Sequence, residues 1–145
     1  MGGHGLSLAD FTGAWRLERR IVDLRGGVEG RFEGQALFTP GADGLVYKES
    51  GQLCLGAAQP VEATRRLLWR TCPRGGIAVL FADGRPFHRI AADRLMPADN
   101  HVCAPDIYHV EYDFRAWPVW SATWRVVGPR KDYRLISRYS RAGAG

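Results

Sequence analysis

The chain has 145 residues, 46% of them apolar, and a formal net charge of +5, which together fit one globular domain over 1–145 with an ordered core of about 11–141. No apolar run is long enough to span a bilayer, so we predict no membrane partner. The basic residues are spread along the chain without a block of five or more. This disfavours a nucleic-acid partner and predicts a solvated outer wall.

Alternation of apolar and polar residues dominates the chain, and only a half-buried strand requires a period of two. Ser7 is predicted to cap a short helical turn over 8–11. No longer helix is expected. The predicted strands cover 15–24, 31–39, a third segment around 47–49, then 61–70, 77–82, 86–92, 101–103, 107–114, 119–127 and 132–141, with the phase of 86–92 ambiguous.

Short connections join these segments, and Asp83-Gly84 is a strong hairpin signal because both residues tolerate a positive φ. Long strands with one wet face must close on themselves or pack on a second sheet. The short connections favour an all-β fold, a single closed antiparallel up-and-down barrel of about ten strands. The gap at 25–30 is too short for a helical lid. A β-sandwich is the alternative, although its crossovers require longer loops.

Motifs at both ends of the chain carry a resemblance to a known group of barrels. Gly13-Ala14-Trp15 opens the first strand and Arg141 closes the last, which resembles the calycin pattern of a tryptophan plug crossed by a basic residue. Residues 11–141 also resemble a bacterial family of unknown function. Its motifs are 83–88 (Asp-Gly-Arg-Pro-Phe-His), 101–108 (His-Val-Cys-Ala-Pro-Asp-Ile-Tyr) and 128–133 (Gly-Pro-Arg-Lys-Asp-Tyr).

The resemblance implies a lipocalin-like barrel, related to fatty-acid-binding proteins and nitrobindin, that binds a small apolar or amphipathic molecule inside. It also implies that haem is an alternative cofactor. No histidine lies on the final two predicted strands to ligate haem, and we predict no cofactor.

Inward-facing polar residues suggest the chemistry of the ligand. Arg19 and Arg65 oppose one acid, Glu49, and a buried guanidinium without a partner is unfavourable. The surplus arginine predicts a carboxylate- or phosphate-bearing ligand. An internal network that only stabilises the wall is an equal alternative. The other polar residues predicted to face inward are Tyr47, Tyr108, Tyr112, Tyr133, Ser137 and Tyr139.

Aromatic residues on the same face predict an apolar wall for that ligand. Trp69, Phe81, Trp120 and Trp124 belong to this set. Inward aromatics are also ordinary core residues, in which case the barrel is filled and the protein is an interaction module.

A third set lies at the predicted barrel rim and consists of His88, His101, Cys103 and Asp106. These residues fit a polar corner of the rim. The alternative is a small enzyme or a metal protein, because His, Cys and Asp ligate zinc and a histidine can activate a thiol. No catalytic motif or Cys-x-x-Cys spacing is present, so we assign no catalytic residue and no metal site.

The three cysteines bear on the cellular compartment of the protein. Cys54, Cys72 and Cys103 are an odd, widely spaced set, and no secretory signal follows the Met-Gly-Gly-His start. We therefore expect a cytoplasmic protein that binds a small amphipathic, anionic ligand inside its barrel.

Overall fold

The structure, a computed structural model, describes residues 5–143; the Met-Gly-Gly-His start and residues 144–145 lie outside it. One 3-10 turn, Leu8–Phe11, precedes ten strands. In the described part, no helix is long and apolar enough to cross a bilayer. The strands are β1 Gly13–Asp23, β2 Glu29–Pro40, β3 Leu45–Leu55, β4 Val61–Thr71, β5 Ile77–Phe81, β6 Pro86–Ile90, β7 Ala98–Cys103, β8 Asp106–Asp113, β9 Trp120–Gly128 and β10 Lys131–Arg141.

All ten strands form one antiparallel sheet in the order β6-β5-β4-β3-β2-β1-β10-β9-β8-β7. Consecutive strands are neighbours, and β1 pairs with β10 from Trp15↔Arg141 to Asp23↔Tyr133. The predicted up-and-down barrel of ten strands is confirmed. Its closure is not complete, because within residues 5–143 no backbone ladder joins β6 to β7. We call this gap the seam.

Apart from β6, the period of two separates the core from the solvent along the wall. In β2, for example, Phe32, Ala36 and Phe38 are buried, whereas Arg31 and Glu33 are exposed. Burial of apolar side chains such as these is the main favourable contribution to folding. The outer wall carries the charged residues, many in ion pairs such as Arg20–Glu29 and Arg138–Glu18.

Two strands differ from the prediction. In β6, Phe87 and His88 are both buried, because the β5–β6 register shifts at Val79/Leu80 and breaks the alternation. β7 begins at Ala98 rather than at 101, since Ala98 already pairs with Glu111 of β8. A polar Ala-Asp-Asn segment has no apolar alternation to indicate a strand.

The predicted tryptophan plug seals the barrel end at which β1 begins and β10 ends. Trp15 is fully buried and its Nε1 donates a hydrogen bond to the carbonyl of Phe11 at 2.8 Å. The Arg141 guanidinium lies 3.7 Å above the Trp15 ring and donates to the carbonyls of Thr12 and Asp10 at 2.9 and 2.8 Å. The 3-10 turn is thereby held across this end, so ligand access must be elsewhere.

Candidate ligand-binding site

A buried ion pair inside the barrel joins β1 to β3, the two strands that flank β2 in the sheet. Arg19 donates two hydrogen bonds to the carboxylate oxygens of Glu49, both 2.9 Å, and its Nε donates to Ser137 at 2.7 Å. Tyr47 donates to Glu49 at 2.5 Å and lies 2.8 Å from the hydroxyl of Tyr139. Because the Tyr47 proton is directed at Glu49, Tyr139 must be the donor in the second bond.

This network fixes the charges of its members. Burial alone would raise the pKa of Glu49, but the hydrogen bonds and charge of Arg19 lower it below the usual value. Burial raises the pKa of Tyr47 and of Tyr139, so both phenols stay neutral. Arg19 and Glu49 therefore neutralise each other, and the pair leaves no charge for a ligand.

A cavity of only about 30 Å³ remains beside this network, and we call it the inner cavity. Such a volume holds about one or two water-sized groups. Large aromatic side chains fill most of the space inside this part of the barrel, so the inner cavity alone holds only a small part of a ligand. The lining residues are Arg19, Tyr47, Glu49, Arg65, Leu67, Trp69, Phe87, His88, Tyr112, Trp120, Ala122, Trp124 and Tyr139.

His88 belongs to this interior and not to the rim. Its Nε2 lies 2.8 Å from the hydroxyl of Tyr112, which connects β6 to β8 across the seam. Burial lowers the pKa of His88 to about 3, so the imidazole is neutral near pH 7. No other hydrogen-bond partner of the Tyr112 hydroxyl occurs in residues 5–143. The phenol O–H is a stronger donor than a neutral imidazole N–H, and the bare ring nitrogen is the stronger acceptor, so we assign Tyr112 as the donor to Nε2, which leaves the ring proton on Nδ1.

The neutral His88 predicts a loss of stability in acid. Between about pH 6.5 and pH 3 the unfolded chain takes up a proton that the folded chain does not, so the free energy of unfolding falls as pH falls. The expected slope is about 1.4 kcal/mol per pH unit from this one group. Urea unfolding at pH 7, 6 and 5 measures it. In His88→Gln, which retains a partner for Tyr112, the part of the slope due to His88 should vanish, and an unchanged slope would contradict the assignment.

A second, larger cavity of about 580 Å³ lies at the barrel end that the plug leaves free, and we call it the mouth cavity. Its volume is within the range of small-molecule sites. The wall is formed by β4, the β5–β6 hairpin and the β7–β8 hairpin. The lining residues are Arg65, Phe81, Arg85, Pro86, Phe87, His101, Val102, Cys103 and Tyr108.

Stacked aromatic rings form the apolar side of the mouth cavity. Phe81 stacks on Phe87 with ring centroids 4.4 Å apart, and Phe87 stacks on Trp124 at 5.0 Å. His101 packs edge-on against Phe81 and Phe87, at 5.6 and 5.3 Å. Phe87 itself lines both cavities, so its ring forms part of the partition between them.

Arg65 is the second arginine of the predicted inward set, and it lines both cavities. The prediction of a buried guanidinium is wrong for this residue, which the structure leaves exposed. Its cross-strand neighbour is Glu49, but that carboxylate is already engaged by Arg19. Arg65 lies 5.6 Å from the centroid of the Phe87 ring, and within residues 5–143 it has no ion pair or hydrogen bond from its side chain. The other arginine of the mouth, Arg85, is bound to Asp83 at 2.7 Å.

The structure separates the predicted rim residues. His101 and Cys103 share a face and line the mouth cavity, as the alternation indicated. Asp106 instead binds Lys131 at 2.9 Å. His88 lines only the inner cavity, on the other side of Phe87 from the mouth cavity. No hydrogen bond joins His88 to His101 or Cys103. In the described residues, no group of three or more His, Cys, Asp or Glu side chains is arranged to hold a metal ion.

The other predicted ligand-binding residues divide between the two cavities. Nine of the twelve line the inner cavity, and Tyr108 lines the mouth. Arg65 is the one that lines both. Ser137 is bound to Arg19, and Tyr133 is half-buried and lines neither cavity. Phe87, Arg85, Pro86 and Val102 were not predicted as site residues; the Asp83–His88 motif contains three of them and was the available signal.

A family model covers residues 11–141, described as a family of unknown function (DUF6314). The chain belongs to this family. No curated protein matches the sequence. Among solved structures, the chain is similar to the S-type phycobiliprotein lyase CPES from Guillardia theta, with 11% identity, a TM-score of 0.66, and coverage of 99% of this chain and 96% of the other. At this identity the likeness shows the fold, a barrel with nearly the same extent.

Proposed function

We propose that the protein binds a small amphipathic molecule in the mouth cavity, with an anionic group of the ligand on Arg65 and its apolar part on Phe81, Phe87 and Tyr108. The observation that carries this proposal is an arginine beside an aromatic wall, in a cavity of about 580 Å³, whose side chain has no hydrogen-bonded or ionic partner among residues 5–143. A guanidinium in such a place binds a carboxylate through charge-assisted hydrogen bonds. The lyase of similar fold is named for its action on phycobiliproteins, which is consistent with a ligand-binding barrel.

Arg65→Met tests the ionic half of the proposal. Fluorescence titration with anilinonaphthalenesulfonate should show affinity reduced by about 10- to 100-fold, the contribution of a charge-assisted hydrogen bond. N-phenylnaphthylamine has the same aromatic skeleton without the sulfonate, and its affinity should be unchanged. This pair of probes separates the charge of Arg65 from the apolar surface of the cavity.

Arg66→Met is the matched control, because Arg66 neighbours Arg65 on β4 but faces the exposed outer wall. Its affinity for both probes should equal that of the wild type. Equal losses in the two variants would show that only the net charge of the protein matters, and an unchanged affinity in Arg65→Met would reject the site. Native mass spectrometry of freshly purified protein then identifies a copurified ligand.

The remaining parts of the proposal concern partners and compartment. We place the protein in the cytoplasm, which the three free thiols Cys54, Cys72 and Cys103 support. No nucleic-acid partner is proposed, since outer-wall arginines are engaged by acids, as in Arg125–Asp132 and Arg115–Asp113. No cofactor is proposed either, because the ring nitrogen Nε2 of His88 is occupied by Tyr112.

A further inference from the structure

The inner cavity has an unusual hydrogen-bonding inventory. In the described part of the chain, three buried side-chain nitrogens have no partner, namely Nε1 of Trp69, Nδ1 of His88 and Nε1 of Trp120. All three side chains line the inner cavity. An indole nitrogen can only donate, and in the tautomer assigned above Nδ1 of His88 is a donor as well. Three N–H groups without an acceptor therefore belong to side chains that line one small cavity.

The hydroxyl and carboxylate groups around the inner cavity are bonded to one another or to Arg19 and His88, and none accepts a hydrogen bond from these three nitrogens. Both oxygens of Glu49 accept from Arg19, and one also accepts from Tyr47. The protons of Tyr47, Tyr139 and Tyr112 are all used within the network. Leaving a buried donor unpaired is unfavourable, and three of them in one place favour whatever brings lone pairs to them.

Size and access limit what can enter. A volume of about 30 Å³ admits an oxygen atom or two but no ring. Arg65 and Phe87 line both cavities, so a group bound to Arg65 is already at the partition. A carboxylate supplies lone pairs only, whereas a water molecule must also find acceptors for its own two hydrogens.

From these observations we infer that the inner cavity is a subsite for the head of the ligand, and that the ligand is an unbranched carboxylic acid bound head-first. One carboxylate oxygen lies among the N–H groups of Trp69, Trp120 and His88, Arg65 holds the other, and the apolar body stays in the mouth cavity. This inference rests on the proposed function and specifies which anion the site takes.

Indole resonances report the inserted oxygen directly. In proton–nitrogen correlation spectra of labelled protein, hydrocinnamate should move two of the five tryptophan indole signals downfield, those of Trp69 and Trp120. Trp15 is an internal control, since its Nε1 already donates to Phe11 and its signal should stay in place. Trp69→Phe and Trp120→Phe assign the signals; sequential assignment of the wild type does so if either variant unfolds.

A branched acid separates insertion from simple charge pairing. α,α-Dimethylhydrocinnamate has the same carboxylate and ring, but its two methyl groups block passage past Phe87. It should bind in an Arg65-dependent way, about tenfold more weakly or worse than hydrocinnamate, and leave the Trp69 and Trp120 signals unmoved.

The outcomes distinguish the two proposals. If both acids bind through Arg65 and neither moves an indole signal, the head-first subsite is rejected and the mouth site stands. The head-first subsite is also rejected if the branched acid moves the Trp69 and Trp120 signals as far as hydrocinnamate does, or if a water contact to these indole protons persists with hydrocinnamate bound. If neither acid binds, or Arg65→Met binds both as well as the wild type does, the mouth site itself is rejected.

Discussion

Glu49→Ala is expected to reduce the free energy of unfolding by about 3–5 kcal/mol, the usual effect of removing one partner from a buried ion pair. Glu49 accepts three hydrogen bonds, and the Arg19 side chain that donates two of them is only 14% exposed. Without the carboxylate, a desolvated guanidinium remains at the barrel centre and Tyr47 loses its acceptor. Urea unfolding at pH 7, followed by tryptophan fluorescence, measures the loss.

The double variant Arg19→Met/Glu49→Leu is the control for this result. An apolar pair of similar volume removes both charges, and such replacements are often neutral or stabilising. Most of the lost stability should therefore return. A double variant as unstable as Glu49→Ala would show that cavity formation or lost packing, and not the unpaired charge, causes the effect.

Trp15→Ala is expected to reduce the free energy of unfolding by a similar amount, about 3–5 kcal/mol, because it removes a large, fully buried aromatic side chain. The indole contacts Trp117 and Trp120 at ring centroid distances of 5.5 and 5.7 Å, and it holds the 3-10 turn through Phe11. The plugged end should therefore open as well as weaken. Thermal unfolding measures the stability, and amide exchange of residues 8–11 measures the opening.

A double-mutant cycle isolates the guanidinium above this ring. Arg141→Met and Trp15→Phe, singly and combined, should show a coupling of about 0.5–2 kcal/mol between the two side chains. Arg138→Met, on the same strand but exposed, should not couple to Trp15→Phe. No coupling between Arg141 and Trp15 would mean that the stacked geometry at 3.7 Å contributes nothing beyond the hydrogen bonds to Thr12 and Asp10.

Strand alternation predicted which face each residue takes, and for the central residues this was sufficient. Arg19, Glu49 and Tyr139 face inward as expected, because neither the β1–β10 ladder nor the β2–β3 ladder contains a bulge. The plug was predictable for a different reason, since Trp15 and Arg141 are cross-strand partners and the motif that resembles calycins contains both.

The site was less predictable, because it depends on properties that a period of two does not encode. Which arginine binds Glu49 is decided by geometry across the barrel, and sequence could only show that one would remain. The burial of both Phe87 and His88 follows from the register shift between β5 and β6, where Val79 pairs with His88 and Leu80 with Pro86, so that Phe87 is left as an extra residue. The volume left inside depends on how Trp120 and Tyr139 stack, here with centroids 3.8 Å apart, and no residue pattern specifies that.

Side chains, rather than a backbone ladder, hold the seam between β6 and β7. Asp99 accepts from the amide of Arg89 at 2.7 Å, and His88 with Tyr112 spans the gap from within. The two hairpins that flank the seam also carry most of the mouth cavity. A separation of β6 from β7 would therefore break side-chain contacts but no backbone ladder of the ten-stranded sheet, which makes the seam the least costly place to enlarge the mouth cavity.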